Sequence, residues 1–133
     1  MTAGLAGSGP GALARLLGIR PVSMGGGRAR FELTVREEHM NPNGVVHGGI
    51  VYSLADTAMG AALFSALEPG QSCTTLEIKI NYLAPVTAGG LAAEASVIAR
   101  TKRTGVLEAR VHGDGGALVA VATGTFYIQT GAR

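Results

Sequence analysis

Residues 28–35, RARFELTV, set Ala29, Phe31, Leu33 and Val35 against Arg28, Arg30, Glu32 and Thr34. This period of two belongs to a half-buried strand. The alternation stops at EEHMNPNGVVHGG, where Pro42 restrains Asn41 and Gly44 allows a positive φ, so the segment predicts a loop. Residues 49–67 are apolar on nearly every side, which predicts a helix that must be enclosed rather than laid on a surface. Glu68-Pro69-Gly70 stops it. The second half reads as four strands. Residues 75–83 place Leu76, Ile78, Ile80 and Tyr82 on one face, with Thr75, Glu77, Lys79 and Asn81 on the other. Residues 91–100 and 106–112 follow, joined by the basic turn TKRTG, and residues 117–129 direct Leu118, Ala120, Ala122, Phe126 and Ile128 one way. No helical period separates these strands, so they pair antiparallel.

Five strands and one greasy helix after the first of them predict an α+β fold, an antiparallel sheet curled around the helix. So small a sheet covers the helix only partly, and its remaining side predicts a second subunit, hence at least a dimer. A length of 133 residues fits one domain. We expect a disordered Gly/Ser/Pro-rich lead over residues 1–11, then a single domain over 12–133 that opens on a short helix at residues 12–17.

Composition removes several function classes. Cys73 is the one cysteine, so no disulfide framework exists within the chain, and a reducing cytoplasm is the expected compartment. Eleven Lys and Arg against nine Asp and Glu leave only +2, too little for a duplex-binding surface, and aromatics at 5% offer no platform for stacked bases. The opening lacks the charged start and apolar run of a secretory signal. Residues 50–67 approach membrane-spanning length, but Asp56 inside them, without a basic flank, favours burial within a protein over a bilayer. Three separated histidines show no metal-ligand spacing, so neither a metal nor another cofactor is expected.

Asp56 is the only charged side chain in residues 48–67. Burial there raises a carboxyl's pKa and makes it a candidate base, although a carboxylate satisfied by a nearby hydroxyl has the same appearance. Gly48 and Gly49 open the helix, where unpaired N–H groups can receive a developing negative charge; a flexible helix start reads identically. Eight residues of helix span about 12 Å at 1.5 Å each, too far for Gly48 and Asp56 of one chain to act on one carbonyl. Two such helices running antiparallel across a twofold axis bring Gly48 of one copy beside Asp56 of the other.

The run EEHMNPNGVVHGGIVYSLADTAMGAAL, with TTLEIKINYLAPV and RTKRTG, resembles the hotdog-fold acyl-CoA thioesterases of the phenylacetate-pathway type over roughly residues 29–129. The resemblance implies a hotdog sheet of five or six strands around the central helix, an acyl-CoA substrate with coenzyme A as part of it, a homo-oligomer extending to a tetramer, and a place in phenylacetate degradation. It implies Asp56 as catalytic carboxylate, either general base or nucleophile, and the Gly48 N–H as the group polarising the thioester carbonyl. It further implies Asn41 as an orienting side chain, and a role for His47 that is either direct or confined to fixing the loop. Thr75, or Thr74 under a one-residue shift, would position the attacking water, and Arg100, Lys102 and Arg103 would meet the phosphates of coenzyme A. An ordinary strand hydroxyl and a solvated turn are the plainer readings of those last two groups.

The leading expectation is thus hydrolysis of an acyl-CoA or aryl-acyl-CoA to free acid and CoA. A non-catalytic acyl-CoA binding module would not need Asp56, and an enoyl-CoA hydratase would need Asp and His arranged differently. The acyl pocket is expected between Tyr52, Met59, Leu63 and a partner's sheet.

Overall fold

The computed structural model describes residues 9–131. A short helix α1 (Ala12–Leu17) leads into strands β1 (Arg20–Gly25) and β2 (Arg28–Thr34) and a single 3₁₀ turn (Glu37–His39). The long helix α2 (Gly48–Phe64) follows, then β3 (Gln71–Tyr82), β4 (Gly90–Arg100), β5 (Thr104–Gly113) and β6 (Leu118–Thr130). The strands form one sheet in the order β1-β2-β4-β5-β6-β3. Every neighbouring pair is antiparallel.

Helix α2 touches all six strands, so the sheet wraps the helix as the α+β reading requires. Leu54, Ala55, Ala58, Met59, Ala61, Ala62 and Leu63 are fully buried against Phe31, Leu33, Leu91, Leu107, Val111 and Phe126. Each large side chain contributes about 1.5–3 kcal/mol by leaving water. The enclosure is incomplete along one line. Gly49, Ser53, Asp56, Gly60 and Phe64, spaced three to four residues apart, keep some exposure, and this open stripe carries the helix's one carboxylate.

Three expectations need correction. The sheet has six strands, within the five or six that the resemblance implies but one more than the alternation alone suggested; the sixth, β1, hairpins onto β2 through Gly26 and Gly27, at φ 61° and 84°. Its residues are all exposed and Pro21 interrupts it, which an edge strand tolerates, so no alternation announces it. Helix α2 ends at Phe64, and the chain to Leu67 closes in tight turns, Ala66 N–H to Leu63 O and Leu67 N–H to Phe64 O. Strand β3 starts at Gln71 and carries a bulge, with the register slipping between Thr75 and Glu77. Leu76 is therefore 60% exposed, while Thr75 shares the helix-facing side with the half-buried Ile78 and Ile80.

Helix α1 keeps its expected bounds and ends on Gly18 in the left-handed region. Of the lead over residues 1–11, the first eight lie outside the described residues.

Candidate active site

The loop before α2 is built by Asn41. Its Oδ1 accepts from the N–H groups of Asn43 (2.8 Å) and Val45 (3.3 Å), and its own N–H donates to Val45 O. This is the local bonding that makes Asn a turn former, and it commits the carbonyl end of the side chain to the loop. Met40 bridges Val46, Val46 N–H donates to Val86 O, and His47 N–H donates to His39 O, so both sides of the loop are tied down. The ring of His39 is buried: Nδ1 accepts from Arg36 N–H and Nε2 donates to Leu17 O, which fastens α1 to the same loop.

His47 is the N-cap of α2, and its Nδ1 accepts from Gly49 N–H at 2.8 Å. That bond ties the ring to the first turn of the helix. The Gly48 N–H has no hydrogen-bond partner among the described residues, as the first turn of a helix requires. Tyr82, at the end of β3, donates its hydroxyl to Gly48 O at 2.8 Å. Its ring lies so near that a Cβ at position 48 would sit 3.1 Å from the phenol carbon and oxygen. Gly48 and Tyr82 then line an open apolar groove of about 410 Å³ with Val45, Val51, Leu83 and Pro85.

Two turns and more along α2, Thr75 donates its hydroxyl to Asp56 Oδ1 at 2.8 Å. Burial pushes the Asp56 carboxyl above its ordinary value of 3.8, and the Thr75 hydrogen bond pulls it part of the way back. Thr74 lies on the opposite side of β3, where its hydroxyl accepts from Gln129, so Thr75 is the threonine that meets Asp56.

The described chain thus gathers its candidates into two groups. Asp56 pairs with Thr75; Asn41, His47 and Gly48 cluster at the N-terminus of α2, about 12 Å of helical rise away. The basic residues also divide. Arg100 donates to Ala66 O at 3.0 Å just past the end of α2, whereas Lys102 and Arg103 stand exposed on the β4–β5 turn. The expected pocket is corrected as well: Met59 and Leu63 are fully buried in the chain's own core, so they line no groove. Tyr82 and His39 escaped the sequence reading. Tyr82 had a signal, an aromatic with a polar tip closing an alternating strand; His39, within a polar loop run, had none. Among the described residues no three His, Cys, Asp or Glu side chains converge on a metal position, and no helix is long and apolar enough to cross a membrane.

Residues 43–120, more than half of the chain, match the family model described as the thioesterase superfamily. The chain belongs to that superfamily. It is 37% identical over 101 residues to the acyl-coenzyme A thioesterase PaaI of Escherichia coli K12, covering 75% of this chain and 70% of that protein. It is 32% identical over 117 residues to the 1,4-dihydroxy-2-naphthoyl-CoA hydrolase of Listeria monocytogenes, covering 88% and 95%. The solved structure of the conserved protein PA5202 from Pseudomonas aeruginosa superposes with a TM-score of 0.86 at 39% identity, over 90% of this chain and 94% of that one. The hotdog fold and the PaaI-like character of this superfamily member follow.

Proposed function

We propose that the protein hydrolyses the thioester of an acyl- or aryl-acyl-CoA to the free acid and CoA. The supporting observation is a half-buried carboxyl, Asp56, on the stripe of α2 that the chain's own sheet leaves open, hydrogen-bonded to Thr75. In this reading two copies set their α2 helices antiparallel about a twofold axis, and each site takes Gly48 from one copy and Asp56 with Thr75 from the other. The Gly48 N–H receives the thioester oxygen at the positive end of the helix; Asp56 either takes a proton from water, whose oxygen adds to the carbonyl as the C–S bond breaks and the proton passes on to the departing CoA thiolate, or itself adds to the carbonyl, expelling the thiolate, which takes a proton from the water that then opens the resulting anhydride to the free acid. Asn41 and His47 hold the loop that aims Gly48, and the apolar groove beside Gly48 takes the acyl group. Long edge strand β3, bonded on one side to β6, with Leu76 and Tyr82 exposed, suits the contact between copies, and dimers of this kind pair further into a tetramer. We assign the protein to the cytoplasm and place aryl-acetyl groups, as in phenylacetate degradation, among its acyl substrates.

Lys102 and Arg103, without ion pairs among the described residues, supply the positive charge for the coenzyme A phosphates, while Arg100 braces the turn from the helix end. The test is thiol release from a panel of aryl-acetyl, hydroxybenzoyl and medium-chain CoA esters; no turnover on any of them leaves the binding module as the better account. Arg103→Ala is expected to raise KM for an accepted CoA ester about three- to tenfold with kcat little changed. The same variant should treat an N-acetylcysteamine thioester as the parent protein does; equal effects on both substrates contradict phosphate contact.

A further inference from the structure

We infer that Tyr82 is a positioning residue whose phenol holds the Gly48–Gly49 peptide and thereby limits how the Gly48 N–H, one Cα earlier in the His47–Gly48 peptide, can turn, an inference that rests on the thioesterase reading above. Two consecutive glycines give a helix start the greatest backbone freedom the chain can offer, which is poorly suited to a donor that must point at one developing charge. The structure removes that freedom from both sides. The Gly48–Gly49 peptide has its carbonyl bonded by the Tyr82 hydroxyl at 2.8 Å and its N–H bonded by His47 Nδ1 at 2.8 Å. The two clamps come from different elements, one from the end of β3 and the other from the loop before α2, so the peptide plane is fixed relative to the sheet as well as the loop.

The ring's place over Gly48 completes the arrangement. Because position 48 carries no side chain, the phenol approaches the backbone closely enough that an added Cβ would have to displace it. Desolvation, with Tyr52 as a lesser contributor, raises the phenol's pKa above 10.0, so Tyr82 keeps its donor proton through the neutral range. The same ring walls the groove beside Gly48, so hydroxyl and ring have separable tasks: the first aims the donor, the second shapes the groove.

Tyr82→Phe separates them, because phenylalanine keeps the wall and loses the bond. On the CoA ester that the parent protein turns over best, kcat per folded protein is expected to fall about tenfold, a loss of about 1.4 kcal/mol of transition-state stabilisation, with KM within about twofold. A role limited to stability lowers the melting temperature and leaves kcat of the folded protein unchanged, which overturns the inference. A rise in KM alone also overturns it, making Tyr82 only a wall. Tyr82→Ala, which loses both, should show the same fall in kcat together with a higher KM, and a kcat equal to the parent's is again decisive against the clamp. An inactive parent protein removes the thioesterase reading itself, and this inference with it.

Discussion

Asp56→Asn should abolish thioester hydrolysis, by at least about a thousandfold, while raising the melting temperature at pH 7. The two effects share a cause. The carboxyl binds its proton more tightly in the folded chain than in the unfolded one, because burial penalises the charge more than the Thr75 hydrogen bond relieves it. Stability contributed by the protonated form is therefore lost as pH rises from the ordinary 3.8 through the raised value of Asp56, and it stays lost at neutral pH. Asparagine accepts the Thr75 hydroxyl with no charge to desolvate, so the gain in melting temperature should be full at pH 7 and vanish below about pH 3.8. The same shift moves the acid limb of the parent enzyme's rate profile upward from the ordinary carboxyl value. Removing the hydroxyl in Thr75→Ala should carry that limb higher still. A variant that keeps most of its turnover, or that melts lower than the parent at pH 7, contradicts the role given to Asp56.

Gly48→Pro should cost about 100- to 1,000-fold in kcat with the fold intact. Proline is accepted at the first position of a helix, where the lost N–H has no partner inside the helix, so the substitution deletes the proposed donor selectively. The preceding residue suits it, since His47 stands at φ −61° and ψ 136°, the extended conformation a residue before proline prefers. The ring of Tyr82 must shift by a few tenths of an ångström to admit the new Cβ. Circular dichroism checks the fold, and a kcat close to the parent's would remove the Gly48 N–H from the mechanism.

The parts of this molecule that alternate in the sequence are the parts whose side chains choose between sheet faces. Phe31 and Leu33 in β2, and Phe126 and Ile128 in β6, are buried as their spacing indicates. Strand β1 was illegible because its side chains are exposed on both faces and Pro21 breaks the pattern. The bulge at Leu76 was illegible for a different reason. A perfect alternation continued through it, and only the pairing with β6, a long-range contact, shows that the extra residue turns Thr75 toward Asp56. Asp56 itself was plain, since a lone charge in an apolar helix is costly and conspicuous. The bond from Arg100 to the carbonyl of Ala66 was not, because a basic residue beside a basic turn looks the same with or without it. The separation of the candidate residues into two distant groups follows from helix geometry alone, and the described chain keeps them apart on one α2.

That separation makes subunit complementation the most direct test. Asp56→Asn and Gly48→Pro proteins, each nearly inactive alone, are unfolded together, refolded and assayed as a mixture. If each site draws Gly48 from one copy and Asp56 from the other, every mixed dimer regains one intact site, and random pairing should restore about one quarter of the parent activity. A mixture that shows exchanged subunits yet remains as inactive as its components would contradict the shared site.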